Sequence, residues 1–430
     1  MHRRLDARAP GFAAEFDRLV EAARDTDAQV SDVVAQVIAE VAKNGDTAVA
    51  TLTQRFDRID LAERGFEIGA AEIDAACANV SPELMAALEL AATRIRAFHE
   101  KQRPADHDGT DAAGVRAGYR WTPVDSVGLY VPGGLASYPS SVLMNAIPAK
   151  VAGARRLVMV TPTPDGRLNP LVLAAAKLAG VDVIYRIGGA QAVAALAFGT
   201  ATIPAVDKIV GPGNAYVAEA KRQLYGRVGI DMVAGPSEIL VVADGANDPA
   251  WIAADLLSQA EHDPAAQVIL ITDDAAFVDA VAVAVDALIE KLPTGATARQ
   301  SWDSQGAIIL VEQLLDAVPL VDRLAPEHLE LAVADPQPLF DAVRHAGSIF
   351  IGRHTPEAVG DYVGGPNHVL PTGRRARFAS GLSVTDFMKR TTFLECSAAA
   401  LAAIGPAAQT LAEAEGLIAH AESVRVRLNS

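Results

Sequence analysis

With 430 residues, 50% of them hydrophobic and 21% charged, the chain exceeds one ordinary domain and can bury large cores, so two or more globular units are expected. A net charge of −16 leaves no basic field to gather phosphate backbones, which argues against nucleic acid as a partner. No apolar run reaches the roughly 18 residues of a membrane span, and the opening MHRRLDARAPGFAAEF lacks the apolar centre of a secretion signal. A soluble cytoplasmic protein is expected.

The two cysteines, Cys77 and Cys396, sit far apart in Ala-rich stretches that read as helical, which speaks against a disulfide framework or a thiolate metal site. Both are expected to be small core residues. Residues 26 to 103 show apolar spacings of three and four, as in VSDVVAQVIAEVAKNGDTAVATLTQRF, and read as helices covering a sheet. From about residue 126, short β-branched runs (SVGLYVPGG, RRLVMVTPT, VDVIYRIGG, DKIVGPG) alternate with Ala-rich helical segments, the pattern of a mostly parallel α/β sheet. A second series follows Gly235: SEILVVAD, AQVILITD, GAIILV, LEL and GSIFI, again separated by helical segments. After Gly381, SVTDFMKRTTFLECSAAALAAIG reads as another helical stretch. The last segment, AAQTLAEAEGLIAHAESVRVRL, is too small to fold alone and should dock elsewhere.

A GxGxxG fingerprint after a first strand is absent, but two strand–glycine–helix turns stand in its place, at Gly188-Gly189 and at Gly211-Pro212-Gly213-Asn214. Each would present free backbone N–H groups at a helix start, where a pyrophosphate is stabilised; each is also ordinary α/β punctuation. In LLSQAEHD, Gln259 and His262 lie three apart on one helical face and suit a shared cation, although a lone histidine of this sort is more often a satisfied helix residue. The loop VGDYVGGPNH offers Asp361 and His368, and EAEGLIAH offers Glu415 and His420. Oxygen and imidazole donors without sulfur suit catalytic zinc, with manganese or cobalt as alternatives. LAPEHLEL reads two ways: Pro326 opening a helix with an acid in its first turn, or Glu327 and His328 as an acid/base pair able to handle two proton transfers near neutral pH. GPSE, from Gly235 to Glu238, is a turn whose Ser237 faces a cleft or caps local backbone.

Taken together, LYVPGG, RIGGAQA, VGPGN, GPSE, LLSQAEHD, LAPEHLEL, GDYVGGPNH and EGLIAH, in this order over roughly residues 30 to 422, resemble the histidinol dehydrogenase family. The resemblance implies an NAD-dependent, zinc-containing enzyme that oxidises L-histidinol through the aldehyde to L-histidine. It places the metal on Gln259, His262, Asp361 and His420, the catalytic pair on Glu327 and His328, and NAD beside Tyr130, Gln191 and Asn214. Substrate contacts fall on Ser237, His368 and Glu415, in addition to the catalytic and metal residues.

The fold so implied is α/β: two Rossmann-like parallel-sheet domains, with small helical terminal segments, in a domain-swapped homodimer. Residues 1–25 would be a helical arm. Residues 26–128 and 237–380 would form the unit carrying the metal and catalytic residues, 129–236 the NAD-binding unit, and 381–430 a tail docking on the partner subunit. Rival readings are a paralogue in the same fold that oxidises another small polyol or sulfonated diol, and a zinc hydrolase in which Glu327 activates water without hydride transfer.

Overall fold

The β-branched runs become strands because helices cover both of their faces, which turns each into an almost continuous apolar stretch. A computed structural model describes residues 2–21, 28–133, 138–233 and 235–429. Its strands, in chain order, are β1 (Arg3–Asp6), β2 (His107–Thr110), β3 (Arg116–Pro123), β4 (Ser126–Tyr130), β5 (Arg156–Val160), β6 (Val183–Tyr185) and β7 (Lys208–Val210). They continue with β8 (Gly229–Ile230), β9 (Glu238–Ala243), β10 (Gln267–Thr272), β11 (Ala307–Leu310), β12 (His328–Ala332), β13 (Ser348–Ile351) and β14 (Met388–Glu395). Two parallel sheets carry the architecture, in the orders β6-β5-β4-β7-β8 and β1-β11-β10-β9-β12-β13.

In β5, Leu157 and Met159 face one core with the helices Pro82–Glu100, Pro139–Ala152 and Pro170–Ala179, while Val158 and Val160 face another with the helices Ala28–Asn44, Asp46–Asp57 and Gly189–Phe198. The six-stranded sheet is built likewise: Ile239 and Val241 of β9 pack on the helices Pro249–Ala260 and Ala275–Ile289, and Leu240 and Val242 on Phe12–Val20 and Ala317–Leu324. Among the described residues no helix is long and apolar enough to cross a membrane.

Four expectations are corrected. The N-terminal arm is not wholly helical, because Arg3–Asp6 adds β1 to the edge of the six-stranded sheet, parallel to β11. The helices between residues 28 and 100 pack on the five-stranded sheet rather than on the unit formed by 237–380, since Val34, Val37, Val49, Leu88 and Ile95 insert into its two cores. The stretch after Gly381 is not continuous helix, because Met388–Glu395 pairs antiparallel with β3, from Met388 opposite Pro123 to Glu395 opposite Arg116, and helix begins only at Ala398. Thr391, Thr392 and Phe393 favour that pleated state. Finally, Cys396 is exposed just beyond β14 instead of buried in a helix, and Cys77 is half-buried.

Candidate active site

The cleft lies where two sheet edges meet. In the five-stranded sheet the strand order reverses between β4 and β7, so their carboxyl ends open a crevice of the sort that receives ligands in α/β folds. Pro132, Gly211, Pro212, Gly213 and Asn214 follow those ends and form one wall of a cavity of about 350 Å³. The opposite wall comes from the amino ends of β9 and β12 in the six-stranded sheet, with Ser237, Glu327 and His328, from Gln259 and Asp361 near the ends of two helices, and from the segments after those helices that bear His262 and His368.

The glycine wall is rigid. Gly211 has φ +112°, and a β-carbon there would lie 2.1 Å from the Tyr130 carbonyl oxygen, so only glycine fits. Its N–H donates to Asp231 (2.8 Å) and its carbonyl accepts from the Lys221 ammonium (2.9 Å), and Lys221 and Asp231 form a buried ion pair. Asn214 caps the helix Ala215–Leu224 by accepting from the Tyr216 and Val217 amides, both at 3.1 Å, and its exposed side chain borders the cavity. Tyr130, whose backbone backs Gly211, and Gln191 do not line the cavity. Tyr130 is buried, with its hydroxyl accepting the Gly189 N–H at 3.0 Å and burial pushing its pKa up to about 12; Gln191 is buried in the helix that Gly189 opens.

On the facing wall, Pro326 does not begin a helix. The helix Ala317–Leu324 ends at Ala325 in a left-handed conformation (φ +45°), and Pro326 and Glu327 lead directly into β12. Glu327 accepts the Glu238 backbone N–H at 3.0 Å. The His328 Nδ1 lies 2.9 Å from the Glu238 carbonyl oxygen, which can only accept, so Nδ1 carries the ring proton and Nε2 keeps its lone pair. That Nε2 is buried with no hydrogen-bond partner among the described residues, 3.6 Å from Glu357 and 3.9 Å from Asp361. Burial lowers the His328 pKa to about 4, against the pull of Glu357, so the ring is neutral at physiological pH.

Gln259 ends the helix Pro249–Ala260, and the His262 N–H continues the turn by donating to the Gln259 carbonyl at 3.1 Å, which keeps the two residues on one edge of the cavity. Asp361 lies on the short helix Glu357–Tyr362 rather than in open loop, and His368 Nδ1 is 3.7 Å from its carboxylate. Burial first, then the neighbouring carboxylates, raise both Glu327 and Asp361, the latter to about 9. Burial pushes Glu357 the same way, but His328 and hydrogen bonds from Asp361, Gln259 and Ser258 hold it below its usual range.

Glu357 is the residue that sequence reasoning missed. It belongs to none of the motifs, and the only available signal was its spacing of four from Asp361, one helical turn. The ligand-competent atoms of His328, Glu357 and Asp361 lie within 4.8 Å of one another, a set that shares only Asp361 with the expected zinc ligands. Three observations fit a divalent cation here. Among the described residues the Gln259 side-chain oxygen is buried without a partner, three carboxyl groups crowd one buried volume, and histidines alone form ion pairs with those carboxyls.

Two expected residues do not reach the cleft of their own chain. Glu415 and His420 are exposed in the tail, whose helices Ala398–Ala414 and Ile418–Leu428 pack chiefly on each other.

The likeness to known proteins extends over the whole chain. A family model for histidinol dehydrogenase matches residues 20–428. The histidinol dehydrogenase of Zymomonas mobilis is 65% identical over 99% of both chains, and that of Rhodospirillum rubrum is 63% identical over 100% of this chain and 99% of its own. The crystal structure of histidinol dehydrogenase from Elizabethkingia anophelis superposes with a TM-score of 0.95 at 37% identity, covering 100% of this chain and 98% of that one. With its family model, near relatives and fold in agreement from end to end, the chain belongs to the histidinol dehydrogenase family.

Proposed function

We propose that this cleft oxidises L-histidinol to L-histidine in two steps through the aldehyde, with NAD and one zinc ion. The observation that carries the reading is the convergence of Gln259, His262, Asp361, Glu327, His328, Ser237 and His368 on a single cavity whose other wall is the clamped glycine turn. Gln259, His262, Asp361 and His420 of the partner subunit would hold the zinc, which would supply a positive template for the amine and imidazole nitrogens of the substrate. Gly211–Asn214 and the Gly188–Gly189 turn beside Tyr130 and Gln191 would hold NAD, which would supply the hydride acceptor for each oxidation.

The remaining steps fall to the chain's own side chains. His328 is the base of the first oxidation, because its protonated Nδ1 is committed to Glu238 and its Nε2 is free to take the alcohol proton. Glu327 takes a proton from the water that adds to the aldehyde, since its carboxyl lines the cavity beside His328. Ser237 and His368 contact the substrate, and Glu415 of the partner subunit completes its surroundings. Exchange of the tail between two copies accounts for the exposure of Glu415 and His420 and of the apolar Leu411, Leu417 and Ile418 beside them. A zinc hydrolase would leave the clamped glycine turn without a role.

The test is NAD reduction with L-histidinol against a panel of other amino alcohols and diols, with and without a chelator. L-histidinol is expected to be strongly preferred, with activity lost on chelation and restored by zinc. Equal rates across the panel, or NAD reduction untouched by complete zinc removal, would refute the reading.

A further inference from the structure

We propose that Glu357 is a positioning residue of the metal site: its carboxylate stays outside the coordination shell and orients the amide of Gln259 so that the amide oxygen faces the ion. The proposal rests on the reading that Gln259 and Asp361 are ligands. A glutamine side chain can present either oxygen or NH₂ to a site, and only the oxygen has a lone pair for a cation. Here the choice is made by Glu357. Its Oε1 accepts from the Gln259 Nε2 at 2.7 Å, which turns the Gln259 oxygen the other way, where it is buried with no partner among the described residues. Its Oε2 accepts from the Ser258 hydroxyl at 3.1 Å, holding the same helix end at a second point.

The location of Glu357 explains why one side chain can serve two ligands. It is the first residue of the helix that carries Asp361 one turn later, and it is almost completely buried between that helix and Pro249–Ala260. A metal ligand held by a hydrogen-bonded carboxylate loses rotational freedom before the ion arrives, and removing such a partner weakens metal binding roughly 10–100-fold. The competing arrangement makes Glu357 itself a ligand, with His328 and Asp361. It would require Glu357 Oε1 to serve the ion in addition to the Gln259 amide, and it would leave the Gln259 oxygen buried without a role.

The two arrangements separate in variants of the metal-loaded enzyme. Glu357→Gln keeps an oxygen that can accept from Gln259 Nε2, whereas Glu357→Asp keeps the charge but is one methylene too short to reach it. For each variant, and for Glu357→Ala, the zinc content and the transfer of zinc to a chromogenic chelator are measured, together with the visible spectrum of the cobalt-substituted enzyme. Positioning predicts that Glu357→Ala and Glu357→Asp surrender zinc about 10–100-fold more readily, that Glu357→Gln recovers most of the loss, and that the cobalt bands keep their positions in all folded variants. If Glu357→Ala does not fold, as judged by circular dichroism, the contrast between Gln and Asp decides alone. A shifted cobalt spectrum in Glu357→Gln, with Glu357→Asp the better zinc holder, would overturn the proposal in favour of direct ligation. Unchanged zinc release in Glu357→Ala would overturn it outright. Asp361→Asn run alongside identifies the origin of a failure: if it keeps zinc and an unchanged spectrum, the assumed ligand set is at fault rather than the part given to Glu357.

Discussion

Replacing Glu327 by glutamine separates the two oxidations, because the substitution removes basicity while leaving shape and anchoring in place. The Glu327 Oε2 accepts the Glu238 backbone N–H at 3.0 Å, and a glutamine oxygen can accept the same bond. Burial first, then Asp361 and Glu357, raises the proton affinity of this carboxyl, which makes the ionised form the stronger base and lets a neutral amide of the same shape be tolerated, so the fold should hold. What disappears is the proton acceptor for the water that adds to the aldehyde. A positioned general base contributes roughly 10²–10⁴-fold, or about 3–5 kcal/mol of barrier. That loss should fall on the oxidation of supplied L-histidinal. Oxidation of L-histidinol to the aldehyde, which draws on the His328 Nε2, should fall by less than about tenfold. Single-turnover NADH formation from each substrate measures the two halves separately, and zinc content controls for loss of metal. Equal losses in both halves would refute the division of labour between Glu327 and His328.

The proposal that each site is shared between two copies makes a prediction about mixed dimers. His262→Asn and His420→Asn should each be inactive as homodimers, but when the two are unfolded and refolded together about half of the dimers are mixed, and one of the two sites in each has both histidines intact. About a quarter of wild-type sites should therefore return, and no recovery, with dimers confirmed by sizing, would place His420 in its own chain's site. A different outcome is expected for the thiols: Cys77→Ala with Cys396→Ala should leave aldehyde oxidation within about twofold of wild type, because neither cysteine lines the cavity. Selective loss of aldehyde oxidation in that double variant would indicate a thiohemiacetal route.

How much of this was legible in the sequence depended on how local its cause was. The inner strands of both parallel sheets could be read because each is covered on both faces, so that Leu157 through Val160 or Ile239 through Val242 form unbroken apolar runs. β1 escaped because RRLD is four residues with three charges, made a strand only by its pairing with β11. β14 escaped because its neighbour in the sheet, β3, lies more than 260 residues away and an Ala-rich helix follows it directly. The motifs identified most of the cavity-lining residues but not their geometry. The acid/base pair turned out to begin a strand at the amino edge of its sheet, whereas crevices in such sheets ordinarily open at the carboxyl edge. The tautomer of His328 depends on the Glu238 carbonyl, a contact between a side chain and backbone 90 residues away, and no residue pattern encodes it. Glu357 was invisible for the same reason, as its partners Ser258 and Gln259 are 99 and 98 residues distant.

The central claim is that one cleft carries an alcohol to a carboxylate, and the direct measurement is the number of NADH formed per L-histidinol consumed, with the product identified. Two NADH and L-histidine are predicted, because in the proposed mechanism His328 serves the first oxidation and Glu327 the hydration required for the second. One NADH per L-histidinol, with free aldehyde accumulating, would contradict it.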